Sequence, residues 1–369
     1  MTLAAESRQA ARRPAEGLAT WDNPIGTRGF EFVEYTAEDT EALARLFEQL
    51  GFVAVGRHRS KRVTHYRQND IHFLVNAEPE SFAQSFARVH GPSVCAIAFR
   101  VEDAGAGYEA LLASGAKPHE ARVGPMELNI PAIKGIGDSL IYLVDRFEGP
   151  SIYDVDFVPT DRAGDTRGVG LTYVDHLTHN VYQGRMDLWA GFYERLFNFR
   201  EIRYFDIEGK LTGLRSRAMT SPCGKIRIPI NESADDKSQI QEYLDAYKGE
   251  GIQHIALGTD DIYGTVEALK ARGVQFMDAP PDAYYEALDR RLPGHGEDLE
   301  RLRQNGILID GAPTEDGGIL LQIFTGTVIG PIFFEIIQRK GDEGFGEGNF
   351  QALFESIEQD QIKRGVLKG

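Results

Sequence analysis

The chain has 369 residues, of which 42% are hydrophobic, 10% aromatic and 26% charged, and its formal net charge is −16. This composition is typical of a globular protein of about two domains. The negative charge, with no basic run to offset it, argues against a nucleic-acid partner, and no apolar run is long enough to span a membrane. Cys95 and Cys223 are too few for a disulfide framework or a cysteine metal site. Because the N-terminus also lacks an apolar signal segment, we expect a cytoplasmic protein.

The chain repeats one order of predicted elements. A strand (FEFVEY), a helix (EDTEALARLFEQL) and short strands ending in HFLVNA come first, and a second unit runs from VCAIAFRV to LIYLVDRF. The same order recurs from YVDHLTHNV and again from IQHIALGT. At offsets of about 7, 14, 15, 17 and 19 residues from Ala96 and from His254, both halves carry Asp, Ala, Leu, Ala and Gly. The sequence therefore predicts an α+β fold in which tandem βαβββ modules form two half-open barrel domains, with a C-terminal capping helix.

The hairpin predicted around Gly330 and Pro331 carries the first sign of a site. Its second strand is FFEIIQR, and Glu335 stands there among apolar residues, where an unpaired carboxylate is costly. Strand alternation places Glu335 on the face of Phe333, and Gln322 on the face of Phe324. Glu335 therefore needs an arginine, a proton or a metal ion, and the amide and the rings beside it indicate a pocket.

Two histidines complete a candidate metal site. His176 and His254 each lie in the first strand of a module, and together with Glu335 they offer the two imidazoles and one carboxylate that bind Fe(II) and leave coordination positions open. The spacing does not exclude Zn, Mn or Ni. His179, three residues from His176, is predicted to face the other way, and Asp175 is predicted to face away from the metal and form a structural salt bridge. The remaining histidines are predicted to have surface roles: His58, His65, His72, His90, His119 and His295.

The two halves differ at these positions. The first half has approximately Phe32, Ala96 and Tyr142 where the second half has the two histidines and the glutamate. These residues cannot form the same site, so we expect the first half to be a scaffold. The predicted organisation is a flexible N-terminal tail (1–24), a non-catalytic domain (25–153), a linker rich in Asp, Gly, Pro and Thr (154–170) and a catalytic domain (171–369). Behind the glycine run GFGEGN, helix 349–365 is predicted to pack on this domain or to close over its site as a lid.

Seven segments taken together resemble the 4-hydroxyphenylpyruvate dioxygenase family of the vicinal-oxygen-chelate (glyoxalase-like) superfamily. They are VDHLTHNV, RIPINES, KSQIQEYL, GIQHIAL, LLQIFT, FFEIIQR and GFGEGNFQALFESIE. The match covers Thr172 to Ile362. The resemblance implies an enzyme that binds Fe(II) through His176, His254 and Glu335 and needs no organic cofactor. It would convert 4-hydroxyphenylpyruvate and O2 to homogentisate and CO2 in tyrosine and phenylalanine catabolism, as a homodimer or homotetramer.

The resemblance also assigns a substrate site. Its hydrogen-bonding residues would be Ser216, Asn231, Gln239, Gln253 and Gln322, of which Asn231, Gln239 and Gln322 would be catalytic. Its aromatic residues would be Phe324, Phe333, Phe350 and Phe354, with Phe345 and Phe350 in the lid. Asn231 could instead form turn hydrogen bonds, and Gln239 could simply begin a helix. Two other functions stay open: a 4-hydroxymandelate synthase, which hydroxylates the benzylic carbon of the same substrate, and a non-catalytic binding protein of the same fold.

Overall fold

The structure is a computed structural model of the chain. It describes residues 21–120, 123–124, 126–208, 212–235, 237–312, 317–346, 348–349, 357–358, 361–362 and 364–365. Most of the predicted tail (1–24) and of the predicted lid helix (349–365), including Phe350 and Phe354, lies outside the described residues. Within the described part of the chain, no helix is both long enough and apolar enough to cross a membrane.

The described strands form two mixed sheets. The first contains β1 Thr27–Thr36, β2 Val53–His58, β3 Val63–Gln68, β4 Ile71–Asn76, β5 Ser93–Val101, β6 Pro118–His119, β7 Ala132–Lys134, β8 Leu140–Val144 and β9 Phe157–Pro159, in the order β6-β7-β8-β5-β1-β4-β3-β2-β9. The second contains β10 Leu171–Val181, β11 Arg200–Glu208, β12 Gly213–Thr220, β13 Arg227–Ser233, β14 Gly251–Thr259, β15 Leu308–Ala312, β16 Gly318–Phe324 and β17 Phe333–Lys340, in the order β11-β12-β13-β10-β14-β17-β16-β15.

Helices connect the strands and cover the sheets. In the described residues they are α1 Thr40–Gln49, α2 Phe82–His90, α3 Ala104–Ala113, α4 Ile152–Asp156, α5 Met186–Phe197, α6 Gln239–Tyr247, α7 Ile262–Ala271, α8 Asp282–Glu286, α9 Leu288–Arg291 and α10 Leu299–Asn305, with a 3₁₀ turn at Ile136–Asp138.

Strand pairing confirms the predicted α+β fold of tandem βαβββ modules. In the first sheet β1 pairs antiparallel with β5 and parallel with β4, and β5 pairs parallel with β8. In the second sheet β10 pairs antiparallel with β14 and parallel with β13, and β14 pairs parallel with β17. Each of the four leading strands is followed by a helix, namely α1, α3, α5 and α7. The two halves therefore share one connectivity.

The repeated residues have a physical role at the helix ends. The carboxylate of Asp103 accepts a hydrogen bond from a backbone N–H in the first turn of α3, and Asp261 does the same for α7, which stabilises each helix start. Gly115 and Gly273 follow these helices with φ of +87° and +84°, a conformation in which a side chain is strained. The repeat in the sequence therefore marks where the two helices begin and end.

The segment predicted as a linker also contains regular structure. Helix α4 extends into it, and β9 pairs antiparallel with β2, so the first sheet continues beyond residue 153. Ile152 and Phe157 belong to an apolar cluster with Phe32 on the first sheet. The Phe32 ring lies 5.6 Å from that of Tyr142, so the region that corresponds to the candidate site of the second half is filled by protein.

The surface role predicted for His65 and His72 is wrong. Both are buried, and their rings lie 4.0 and 4.5 Å from the Tyr153 ring of α4 in stacked orientations. Their polar sequence context did not reveal this, because the helix that covers them comes about 80 residues later in the chain. His295 is buried too.

Candidate metal centre and active site

Three adjacent strands in the middle of the second sheet carry the candidate ligands. His176 of β10 pairs with Ala256 of β14, and Ala256 pairs with Glu335 of β17. His254 lies two residues before Ala256, and therefore on the same face of β14. Since neighbouring strands are about 4.8 Å apart, this register brings three residues that are distant in sequence together on one face of the sheet.

The three side chains converge on one point. Glu335 Oε2 lies 3.1 Å from His176 Nε2 and 3.4 Å from His254 Nε2. One potential ligand atom of each side chain lies within 4.8 Å of those of the other two, and all three residues are buried. Among the described residues, this is the one group of three or more His, Cys, Asp or Glu side chains with ligand atoms this close. The donor set of two imidazoles and one carboxylate fits a divalent transition metal with coordination positions left open.

Burial and charge act in opposite directions on the three groups. Burial alone would raise the pKa of Glu335, but the neighbouring His176 and His254 outweigh it and lower that pKa to about 2. Burial alone would lower the pKa of His176, yet the charge of Glu335 and the hydrogen bond to Asp175 raise it. Burial lowers the pKa of His254. The site therefore presents an ionised carboxylate at neutral pH, which favours a bound cation.

The other polar atom of each candidate ligand side chain has its own partner. His176 Nδ1 lies 2.8 Å from Asp175 Oδ1, and His254 Nδ1 lies 3.1 Å from Gln253 Oε1. Gln322 Nε2 donates to Glu335 Oε1 at 2.7 Å. These partners orient the side chains, so that both Nε2 atoms and the second carboxylate oxygen face the centre of the site.

Asp175 differs in part from its prediction. It forms the predicted salt bridge, with Arg339, but it also contacts His176 instead of facing wholly away from it. The pairing of β10 with β14 shifts register between Val174 and His176, and such an irregularity breaks strict strand alternation. Burial by itself raises the pKa of Asp175, and the charge of Arg339 outweighs burial and holds that pKa well below its usual range.

A cavity opens beside the three candidate ligands. Its lining residues are His176, Thr178, Phe205, Ser216, Pro229, Asn231, His254, Gln322, Phe324, Glu335 and Phe345. The structure thus brings Ser216, Asn231, Gln322, Phe324 and Phe345 of the predicted substrate site to the candidate metal ligands. Sequence reasoning missed Thr178, Phe205 and Pro229. Phe205 could have been found through pairing, because it lies directly opposite Ser216 on β11.

Two polar atoms in the cavity have no partner among the described residues. Ser216 Oγ and Asn231 Oδ1 are both buried without a hydrogen bond, and the two residues lie opposite each other on β12 and β13. Asn231 Nδ2 is 3.4 Å from Asn180 Oδ1. Because buried polar atoms are rarely left unpaired, these two atoms are the natural contacts for a polar ligand in a largely apolar pocket.

Other predicted residues do not line the cavity. Gln239 is the first residue of α6, behind the N-cap Ser238. The side-chain oxygen of Gln253 lies against His254 Nδ1 and not in the cavity. The Phe333 ring stacks on the His254 ring at 4.8 Å, and Phe333 is not one of the cavity-lining residues. Substrate contacts for these three residues remain predictions.

His179, the rival ligand, is directed elsewhere. Its Nε2 lies 2.7 Å from the hydroxyl of Tyr193 on α5, and it is not one of the cavity residues. Burial lowers the pKa of His179 to about 3. This histidine is therefore a neutral core residue.

Comparisons with known proteins agree with this site. Residues 21–158 match the family described as "Hydroxyphenylpyruvate dioxygenase, HPPD, N-terminal", and residues 173–291 match the "Glyoxalase/Bleomycin resistance protein/Dioxygenase superfamily". The chain is 66% identical to the protein called Hemolysin VllY from Vibrio vulnificus, over 94% of this chain and 98% of that protein. It is 63% identical to 4-hydroxyphenylpyruvate dioxygenase from Pseudomonas aeruginosa, over 94% and 97% of the two chains.

A solved structure shows the same architecture. A mutant of 4-hydroxymandelate synthase from Streptomyces coelicolor superimposes with a TM-score of 0.80 at 27% identity, over 91% of this chain and 100% of that one. The matches to relatives extend over almost the whole length of the chain. The strand topology and the buried His-His-Glu cluster agree with them. The protein belongs to the 4-hydroxyphenylpyruvate dioxygenase family of enzymes.

Proposed function

We propose that the protein is an Fe(II)-dependent dioxygenase that converts 4-hydroxyphenylpyruvate and O2 to homogentisate and CO2, a step of tyrosine and phenylalanine catabolism. The observation that carries the proposal is the buried cluster of His176, His254 and Glu335 at the base of a cavity with unpaired polar atoms. A relative named 4-hydroxyphenylpyruvate dioxygenase is 63% identical over nearly the whole chain, which supports the proposal.

The three ligand side chains have the composition that Fe(II) sites of this class require. Held by His176 Nε2, His254 Nε2 and Glu335, Fe(II) would supply the redox chemistry with O2 and open positions for the 2-oxo acid of the substrate. The substrate's own decarboxylation would supply two electrons, so no organic cofactor is needed. The hydrogen bond from Gln322 to Glu335 keeps the carboxylate turned towards the site.

The walls of the cavity suit an aromatic substrate. Phe205, Phe324, Phe345 and Pro229 form its apolar lining. These residues would pack against the substrate ring and exclude water from the reacting atoms. The Phe345 ring lies 5.5 Å from that of His176, so one aromatic wall stands directly beside a candidate metal ligand.

The polar groups of the cavity would orient the substrate. Ser216 Oγ can donate to the substrate's phenol or carboxylate oxygen, and Asn231 Oδ1 can accept from the phenol hydroxyl. Both side chains are neutral, so they add no charge beside the metal. We assign catalytic positioning roles to Asn231 and Gln322, and Gln239 keeps its predicted role without a contact to the described cavity.

The nearest alternative is a 4-hydroxymandelate synthase, which a similar solved structure favours. The two reactions share substrate and metal, and the seating of the ring decides which carbon is attacked. Phe324 is a full-sized residue in the cavity wall, and we take it to hold the ring where ring attack occurs. A non-catalytic binding protein is the less suitable alternative, because binding alone does not require three buried metal ligands.

The test is product analysis. The metal-free protein is loaded with Fe(II) without oxygen, mixed with 4-hydroxyphenylpyruvate and air, and the product is separated by chromatography, with His176→Ala as the control variant. Homogentisate from the wild type and none from the variant is the expected result. 4-Hydroxymandelate would refute the assignment of ring attack, and no product despite bound metal would refute the enzyme assignment.

Three further features belong to the same proposal. We expect a cytoplasmic enzyme that assembles as a homodimer or homotetramer, with 25–153 as its non-catalytic domain and 171–369 as its catalytic domain. The cavity beside the candidate ligands, with its apolar lining and unpaired polar atoms, supports a small-molecule partner. Sedimentation equilibrium of the purified protein tests the assembly directly.

A further inference from the structure

A buried ion pair lies directly behind His176. Arg339 binds Asp175 through two hydrogen bonds, from Nε to Oδ2 at 2.7 Å and from Nη2 to Oδ1 at 2.8 Å. Arg227 Nη1 lies 3.4 Å from the same Oδ2 atom. The Asp175 side chain is fully buried, and those of Arg339 and Arg227 are 5% and 9% exposed. A two-pronged arginine–carboxylate contact fixes geometry as well as charge.

This ion pair determines which nitrogen of His176 is free. Asp175 Oδ1, which already accepts from Arg339, lies 2.8 Å from His176 Nδ1. An ionised carboxylate can only accept hydrogen bonds, so His176 Nδ1 must donate. In the neutral imidazole, the form that binds a metal, the lone pair of His176 then lies on Nε2, the atom that faces Glu335 and the centre of the cluster.

The same arginine holds the segment that follows β17. Arg339 Nη1 donates to the backbone oxygens of Gly344, at 2.5 Å, and Asp342, at 3.1 Å. The guanidinium lies 6.0 Å from the centre of the Phe345 ring, and that ring lies 5.5 Å from the His176 ring. Arg339 therefore reaches one candidate metal ligand through Asp175 and one aromatic wall of the cavity through the backbone.

We propose that Asp175 and Arg339 are positioning residues of the metal site, which orient His176 for metal binding and hold Phe345 against it. Strand β17 thereby supplies one candidate ligand, Glu335, and also Arg339, which holds a second candidate ligand, His176, through Asp175. The inference rests on the proposed function in one respect: the cluster must bind a divalent cation. It predicts that substitution of either Asp175 or Arg339 weakens metal binding, although neither side chain is a metal ligand.

The variants for the test are Asp175→Asn, Arg339→Met and Arg339→Lys. In Asp175→Asn an amide N–H group replaces one carboxylate oxygen and faces an N–H donor of Arg339. The ion pair is therefore lost with little change in side-chain volume. Arg339→Lys keeps the positive charge but loses the bidentate contact with the carboxylate. It replaces Arg339→Met in the test if that variant does not fold. The matched control is Arg100→Met, because Arg100 of the first sheet pairs with the buried carboxylate of Glu31 at 2.5 Å and also contacts the exposed Asp70 at 3.0 Å through two nitrogens.

The probe is Co(II) added to the metal-free full-length protein. Calorimetry measures its affinity, the visible spectrum reports the geometry of its ligands, and thermal unfolding of the metal-free protein reports stability. We expect Asp175→Asn and Arg339→Met to weaken Co(II) binding by about ten- to a hundred-fold and to alter the spectrum. Arg339→Lys should fall between them and the wild type, and Arg100→Met should lose stability without losing affinity.

The outcomes separate the inference from the function it rests on. Wild-type affinity and spectrum in folded Asp175 and Arg339 variants would overturn the positioning role alone, including the case in which they lose as much stability as Arg100→Met. A wild-type protein that does not bind Co(II) would overturn the proposed function and this inference together.

Discussion

A divalent metal should stabilise the wild-type protein but not a His254→Ala variant. The three candidate ligands come from three strands and are about 80 residues apart in sequence, so the site exists only in the folded chain. A ligand that binds only the folded state raises the free energy of unfolding by about 4 kcal/mol when its free concentration is about 1,000 times its Kd. We expect this increment for the wild type.

The substitution removes one of three ligands and also some packing. The His254 ring stacks on Phe333 at 4.8 Å, and its Nε2 lies 2.9 Å from the hydroxyl of Thr178. Truncation of a buried ring of this kind costs about 2–4 kcal/mol in the metal-free protein. The loss of stability without metal and the loss of the metal-dependent increment are separate quantities, and only the second reports on metal binding.

The assay is urea unfolding followed by circular dichroism, with Co(II) and with a chelator. His65→Ala is the control, because His65 is also buried and stacks on Tyr153 at 4.0 Å, but in the first sheet. It should lose stability to a similar extent and keep the full increment of about 4 kcal/mol. An unchanged increment in His254→Ala, or none in the wild type, would refute the assignment of His254 as a metal ligand.

Two further predictions concern the cavity and the core. Ser216→Ala removes a buried oxygen without a partner, so stability to urea should stay constant or rise by about 1 kcal/mol while kcat/KM falls about tenfold. A parallel loss of stability and activity would contradict this. The second prediction rests on His179, whose pKa is lowered by burial from 6.5 to about 3 in the folded state. The unfolded chain therefore binds a proton at this histidine before the folded protein does, and the folded protein loses stability as the pH falls below about 6.5. Between about pH 7 and pH 5 the free energy of unfolding of the wild type should fall by about 2 kcal/mol through His179 alone. In urea unfolding over the same range, the loss of stability of His179→Phe should be smaller than that of the wild type by this amount. Equal losses in the two proteins would show that His179 is not the cause.

Local features of the fold could be predicted from the sequence. Asp103 and Asp261 cap their helices and Gly115 and Gly273 end them, because capping and positive φ depend on residues within one helical turn. The predicted hairpin forms between β16 and β17, with Phe324 opposite Glu335. Both kinds of feature depend on near neighbours, so the duplicated βαβββ order was visible in the chain itself.

The candidate site could be predicted in part. His176, His254 and Glu335 were recognisable because each is an unusual residue in an apolar strand at an equivalent place in a repeat. Sequence could not decide which amides face the cavity: Asn231 lines it, whereas Gln253 turns to His254. That choice depends on the side chains of neighbouring strands, which are distant in sequence.

Only the tertiary structure decided the surroundings of the ligands. Asp175 reaches His176 because β10 shifts register against β14, and Arg339 meets it from a strand about 160 residues later. His65 is buried because α4 returns over the first sheet. Strand alternation is a local rule that holds within one undisturbed strand, while register shifts and covering helices depend on contacts between distant segments. The sequence by itself thus determined the modules and the candidate ligand residues, and the packing of distant segments determined how those side chains are held.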